Sequence, residues 1–342
     1  MTLVLLYGRI IPTDPAMPLN FGLCTTRRAF LSIILFYTGV HFMQTYPKNV
    51  LSTSDLLQKY IQAGMTISDF SAAETKLNEI GYYRLRGYSF HLYDPVTKQF
   101  KSGITFDTVL NIYRFDAELR KLLFDMTCQV EIALHTRFCE AMLLSGDPLA
   151  YLNPLFFKDK AIFWRNTSSL SSEIARSTDV FISHNYTNHD GQIPIWAAVE
   201  VMSFGTLSKY IKNLSVGSHS IFRYLSKFYS YKTSKGNLAC PNQDMLTSWI
   251  HAVVVLRNIC AHNSRIYNRS LSTKPKLLKT YRQNPQPRFC GLYHFLLAMK
   301  YLRPSDTAWN EFAENFRQLL QRYRSAIDPG KLHLPADWQY HI

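Results

Sequence analysis

The sequence predicts an all-α protein, and three observations carry that prediction. Apolar residues recur at helical spacing from Ser52 to near the C-terminus. Capping residues and glycines punctuate the pattern where helices should begin and end. Hydrophobic residues make up 47% and aromatics 14% of the 342 residues, which supports a substantial core and argues against disorder. The length admits one large or two ordinary domains.

Taken in order, residues 1 to about 43 do not match the rest. Arg27 and Arg28 precede an apolar run, Ala29 to Met43, broken by Ser32, Thr38, Gly39 and His41. The run is too short and interrupted for a spanning helix. It resembles a signal sequence but lacks a clean small-residue cleavage site. Met43 opens a polar lead-in, so translation is expected to begin there. From Ser52 the pattern turns helical. Ser54 or Asp55 can cap a helix carrying Leu56, Leu57, Tyr60 and Ile61 that ends near Gly64. Ser68 and Asp69 open a second helix, which ends at Gly81. Tyr82-Tyr83-Arg84-Leu85-Arg86 follows; its arginines and tyrosines could grip phosphates and stack on bases, or pack between helices. Asp94-Pro95 breaks the chain, and Phe100 to Ile104 reads as a loop or hairpin edge.

A long helical zone runs from Phe106 to Leu144, with Arg114, Asp116, Arg120, Glu131, His135 and Arg137 embedded in it. Glu131 and His135 lie four apart and suit an ion pair, or support of an active site. Residues 158 to 192 are polar, with one short helix expected around Trp164 to Arg176. A helical pattern returns from Ile193 to Ile211, and a stretch rich in Ser, Lys and Tyr extends to Pro241. A helix is expected from Met245 to Ala261, then a basic Pro/Gln-rich loop from Lys274 to Arg288 that could lie along a phosphate backbone. Two helices, Tyr293 to Tyr301 and Asp306 to Ala326, close the chain.

Charge narrows the partners. With 38 Lys+Arg against 24 Asp+Glu, the formal charge is +14. Nucleic acid is the first candidate partner and an anionic membrane surface the second. The six cysteines include no CxxC pair and read as reduced residues of a cytoplasmic protein. His184 and His189 lack cysteines or carboxylates at ligand spacing, so no zinc site is expected.

The segment from Arg257 to Tyr267 concentrates polar groups inside an apolar helical pattern, where they are costly unless paired. Helical spacing places His251, Asn258, His262 and Arg265 on one stripe, and Arg257 is long enough to reach round to it. Histidine moves protons near neutral pH, and arginine binds phosphate bidentately. Phosphodiester chemistry is one reading of this set. A hydrogen-bonded histidine near a helix end is the other.

Four segments, in the same order, resemble the Abi-like proteins, the AbiD/AbiF abortive-infection group of bacterial phage-defence proteins. They are Tyr60-Ile61-Gln62-Ala63-Gly64 with Ile80 to Tyr88; Ile112 to Arg120 with Val130 to Leu134; Pro194-Ile195-Trp196 with Ser203 to Ser208; and Arg257 to Arg265. The resemblance implies an all-α, multi-helix bundle of the HEPN superfamily with additional N-terminal and C-terminal helices. It divides the chain into an extension (1–43), an Abi-like helical domain (44–270), and a basic loop with C-terminal helices (271–342). It further implies the Arg-x4-6-His pattern of metal-independent endoribonucleases, often completed across a homodimer. Carried over, Arg257 and His262 are the catalytic pair and Asn258 the polar residue beside them. RNA-binding roles are expected for Tyr82, Arg84, Arg86 and Arg265, with no metal and no cofactor. An arginine is expected where His135 stands, which is a departure. The expected partners are RNA, a second copy of the chain, and a noncoding-RNA or protein regulator. The alternatives are an RNA-binding scaffold or sensor without catalysis, and a membrane-acting effector if residues 1–43 are translated.

Overall fold

A computed structural model describes residues 49–217, 220–281 and 290–342. The expectations for residues 1–43, and for the part of the basic loop between residues 282 and 289, lie outside the described residues. Ser52–Ile342 forms one compact unit. Its described residues contain twelve α-helices and two small antiparallel strand pairs, so the fold is all-α.

The first helix, α1 (Thr53–Gln62), is capped by Ser52 rather than by Ser54 or Asp55. The Ser52 hydroxyl accepts the Asp55 N–H and the Asp55 carboxylate accepts the Ser52 N–H, a reciprocal capping box. Helix α2 (Phe70–Ile80) starts at Asp69, whose carboxylate accepts the Ala72 N–H, and stops at Gly81. Gly81 has φ +89°, a conformation that costs glycine little. Helix α3 (Tyr82–Ser89) follows, then a hairpin of β1 (Tyr93–Asp94) and β2 (Gln99–Phe100).

Helix α4 (Phe106–Leu143) holds 38 residues, a rod of about 57 Å at 1.5 Å per residue. The polar stretch after it holds two helices instead of one, α5 (Lys160–Arg176) and α6 (Val180–Asn188). The helical pattern from Ile193 to Ile211 is divided into two helices, α7 (Ile195–Val201) and α8 (Phe204–Asn213). Ser203 makes the break, because its hydroxyl accepts the Thr206 N–H and so caps α8. Glu173 of α5 fixes that cap by accepting from the Ser203 N–H, the Ser203 hydroxyl and the Thr206 hydroxyl. Helix α9 (Ile221–Lys227) and the pair β3 (Tyr231–Lys232) and β4 (Leu238–Ala239) occupy the stretch read as merely polar. The last three helices, α10 (Gln243–Ala261), α11 (Leu292–Leu302) and α12 (Asp306–Arg322), lie near their expected bounds.

Helix α4 is the spine. It packs against α3, α7, α8, α9, α10, α11 and α12. Phe115, Leu119, Leu123, Met126, Val130, Leu134 and Phe138 recur along it at three- to four-residue steps and are buried. Helix α11 is buried on all sides from Leu292 to Met299, as expected of an interior helix. Helix α10 packs on α4, α8 and α11, and Trp249 stacks on Tyr301 with ring centroids 5.0 Å apart. What α10 leaves in solvent is a stripe: Asp244, His251, Asn258, Ala261 and the capping His262. Among the described residues no helix is long and apolar enough to cross a membrane.

Burial pushes His135 of α4 down to about 4, and its Nε2 has no hydrogen-bond partner. Burial, with Lys331, Arg265 and Lys101 nearby, does the same to His91. Both rings are neutral in the fold at pH 7. Their contribution to stability is complete above the unfolded histidine value of 6.5 and is lost as pH falls from there toward 4. Thermal melts should show this loss on acidification, and His135→Phe should make it shallower. An acid limb as steep as that of the wild type would contradict the assignment for His135.

Candidate functional site

Helix α10 begins at Asn242, whose side chain accepts the Met245 N–H. Leu246, Trp249, Ile250, Val253, Leu256 and Cys260 turn inward and hold it in the core. The helix stops at Ala261, with His262 as its C-cap. Asn263 takes φ +51°, the left-handed conformation that asparagine tolerates better than most residues. The Asn263 N–H donates to the Cys260 carbonyl at 3.0 Å and the Ser264 N–H to the Ile259 carbonyl at 2.9 Å. These two bonds form a Schellman ending and satisfy carbonyls that the helix would otherwise orphan. One expectation changes as a result. The helical stripe does not continue to Arg265, because the chain has left the helix two residues earlier.

The turn after α10 is pinned by Asp116 of α4, which is fully buried. Its carboxylate accepts the Tyr88 hydroxyl at 2.7 Å, the Arg120 guanidinium, the Ile266 N–H at 3.1 Å and the Tyr267 N–H at 2.7 Å. Burial pushes the Asp116 pKa up, while the Tyr88 hydroxyl, Arg120 and the two amides favour its charged form. The other arginines in this corner serve the same turn. Arg84 of α3 donates to the Asn263 carbonyl at 2.8 Å, placing a cation at the negative end of the helix dipole. Arg265 donates to the Tyr267 and Asn268 carbonyls at 2.6 and 2.8 Å. These two arginines, read from the sequence as RNA contacts, spend donors on the fold.

Arg257 is placed differently. Its Nε lies 3.4 Å from the Glu131 carboxylate of α4, and its guanidinium stands over the Phe124 ring, 5.7 Å from the centroid. Among the described residues the guanidinium has no polar partner besides Glu131, and the side chain is 35% exposed. Such a part-exposed pair adds only about 1 kcal/mol or less to stability; its use is to aim the guanidinium. Burial raises the Glu131 pKa, opposed by Arg257. Glu131 therefore pairs with Arg257 across two helices, and the ion pair expected with His135 does not form. Burial of charges in two apolar helices signals that each needs a partner, but not which one.

His262 and Asn258 are exposed, and among the described residues neither side chain makes a hydrogen bond. The end of α10 thus carries an open imidazole, an open amide and an aimed guanidinium. A general acid or base, an orienting group and an anion-stabilising cation are available at one helix end. Tyr82 and Arg86 lie elsewhere. They line a pocket of about 230 Å³ with Lys59, Tyr60, Phe90 and Phe100, and the Arg86 guanidinium is 6.0 Å from the Tyr82 ring centroid. The structure thus divides the four residues read as RNA contacts into two that build the turn and two that line this aromatic pocket.

The model of one family, described as Abi-like protein, matches residues 75–268. The matched span contains Tyr88, Asp116, Glu131 and the whole of the Arg257–Arg265 segment. No curated protein and no solved structure matches the chain.

Asp116→Ala should cost about 3–5 kcal/mol, because it leaves Arg120 charged, buried and unpaired. Tyr88→Phe should cost about 1.5–3 kcal/mol, because its hydroxyl donates to Asp116 and accepts from Arg120. Denaturant unfolding measures both. An Asp116→Ala loss no larger than that of Tyr88→Phe would show that the carboxylate is not the anchor.

Proposed function

The chain belongs to the Abi-like protein family, whose members act in abortive-infection resistance to phage, and we propose that it does so as a metal-independent, HEPN-type endoribonuclease in the cytoplasm. The observation that carries the reading is Arg257. It is aimed by its ion pair with Glu131 and, among the described residues, makes no other polar contact, at the same helix end as the open His262. An arginine kept in the fold for stability alone would resemble Arg84 or Arg265, whose donors are used.

The reaction is transesterification. The 2′-OH of RNA attacks the adjacent phosphorus, the 5′-oxygen leaves, and the products are a 2′,3′-cyclic phosphate and a free 5′-OH. Arg257 stabilises charge building on the phosphoryl oxygens. Asn258 orients the phosphate or the imidazole. His262 moves one proton, to the leaving 5′-oxygen or from the attacking 2′-OH. The second transfer needs a second group, and His262 of a second copy would supply it. That requirement, with the exposure of His262, supports a homodimer. The +14 charge supports RNA as the substrate.

Purified protein is incubated with total RNA in EDTA. His262→Ala and Arg257→Ala should each slow cleavage by about 10²-fold or more. Undiminished cleavage by His262→Ala would overturn the catalytic assignment, and loss of cleavage in EDTA would overturn metal independence. RNA that is bound but left intact by the wild type would favour a scaffold or sensor.

A further inference from the structure

A groove of about 570 Å³ opens between α8 and α10. Lys209 and Lys212, one turn apart on α8, form one wall; Asp244, Ser248 and His251 of α10 form the other, and Lys276 also lines it. Lys276 is held in place through its backbone. Its N–H donates to the Ser248 hydroxyl at 3.0 Å, and its carbonyl accepts the Trp249 indole N–H at 2.6 Å. Its ammonium bonds Asp244 at 3.0 Å. Lys158 adds to the positive field on Asp244 and donates to Gln243 at 2.8 Å. Lys276, Lys158 and Lys212 therefore all act on one carboxylate, and Lys209 lines the same groove. Lys209 and Lys212 are exposed, and neither forms an ion pair among the described residues. Cations gathered in a concave space with so little compensating charge raise the local concentration of anions.

The groove shares its floor with the candidate site. Asp244, Ser248 and His251 lie on the same solvent-facing stripe of α10 as Asn258 and His262. His251 is two turns from Asn258, about 10 Å along the helix. No phenylalanine, tyrosine or tryptophan lines the groove, so it is built for phosphate rather than for base stacking.

We propose that the α8–α10 groove seats the sugar–phosphate backbone of single-stranded RNA, with Lys209, Lys212 and Lys276 on successive phosphates, and leads the strand along α10 to Arg257 and His262. The proposal rests on the RNA reading of that helix end and adds the path of the substrate to it.

The test is a titration of the full chain carrying His262→Ala, which keeps bound RNA intact, with a short fluorescein-labelled single-stranded RNA across a range of salt concentrations. Adding Lys209→Ala/Lys212→Ala should weaken binding and lower the slope of log affinity against log salt by about 1.4, that is about 0.7 for each lost phosphate contact. Lys209→Arg/Lys212→Arg should keep the parent slope. Lys76→Ala/Lys121→Ala, which removes the same charge outside the groove, should also keep it. A groove variant with the parent slope would overturn the path while leaving the RNA reading standing. Equal slope changes in the groove and control variants would overturn it as well, since charge alone would then explain binding. A parent that binds no RNA would overturn both, and an acidic peptide bound in place of RNA would reassign the groove. Cleavage by the wild-type chain, assayed alongside, tests the catalytic reading separately.

Discussion

The buried carboxylate of Asp116 is the constraint on which the candidate site depends. A charge with no solvent contact survives in a core only when its acceptor capacity is filled. Asp116 fills it with donors from three places: Tyr88 on α3, Arg120 on α4 itself, and the Ile266 and Tyr267 amides after α10. One side chain thereby registers the end of α10 against two other helices. The Schellman ending at Asn263 and the Arg84 bond to its carbonyl then set the direction in which the chain leaves. His262, as the C-cap, inherits its position from all of these.

The cations around this centre divide by what they do with their donors. Arg120, Arg84 and Arg265 give theirs to a carboxylate or to backbone carbonyls and hold the turn. Arg257 is steered by a carboxylate, while Lys209 and Lys212 are left without an ion pair among the described residues. In a chain of charge +14, the identity of a basic residue says little about its role. Whether its donors are spent says more.

Much of the fold could be read from the residues. Asp69, Gly81 and the apolar spacing located α2, and an unbroken helical period from Phe106 marked α4. Other features were hidden for identifiable reasons. Helix α6 carries a polar outer face, so its composition resembles a loop, whereas α5 is expected around Trp164 to Arg176. The break between α7 and α8 rests on a serine cap completed by Glu173 from another helix, which local sequence does not reveal. The same limit applied at the site. Spacing placed Glu131 beside His135 on one helix, but its partner, Arg257, comes from a helix more than a hundred residues away. Arg265 looked helical because nothing in its own spacing announces that Asn263 turns left-handed. The Arg257, Asn258 and His262 cluster was legible because polar groups in an apolar helix demand a reason. The lysines of the α8–α10 groove were not, since they become neighbours only when the helices pack.

The ends of the cleaved RNA test the central claim most directly. If His262 and Arg257 carry a transesterification, wild-type protein leaves 2′,3′-cyclic phosphate and 5′-OH ends, and a substrate with a single 2′-deoxy sugar at the scissile position stays intact. Ends bearing 5′-phosphate and 3′-OH, or cleavage of the 2′-deoxy substrate, would mean that water rather than the 2′-OH attacks, and would contradict the account.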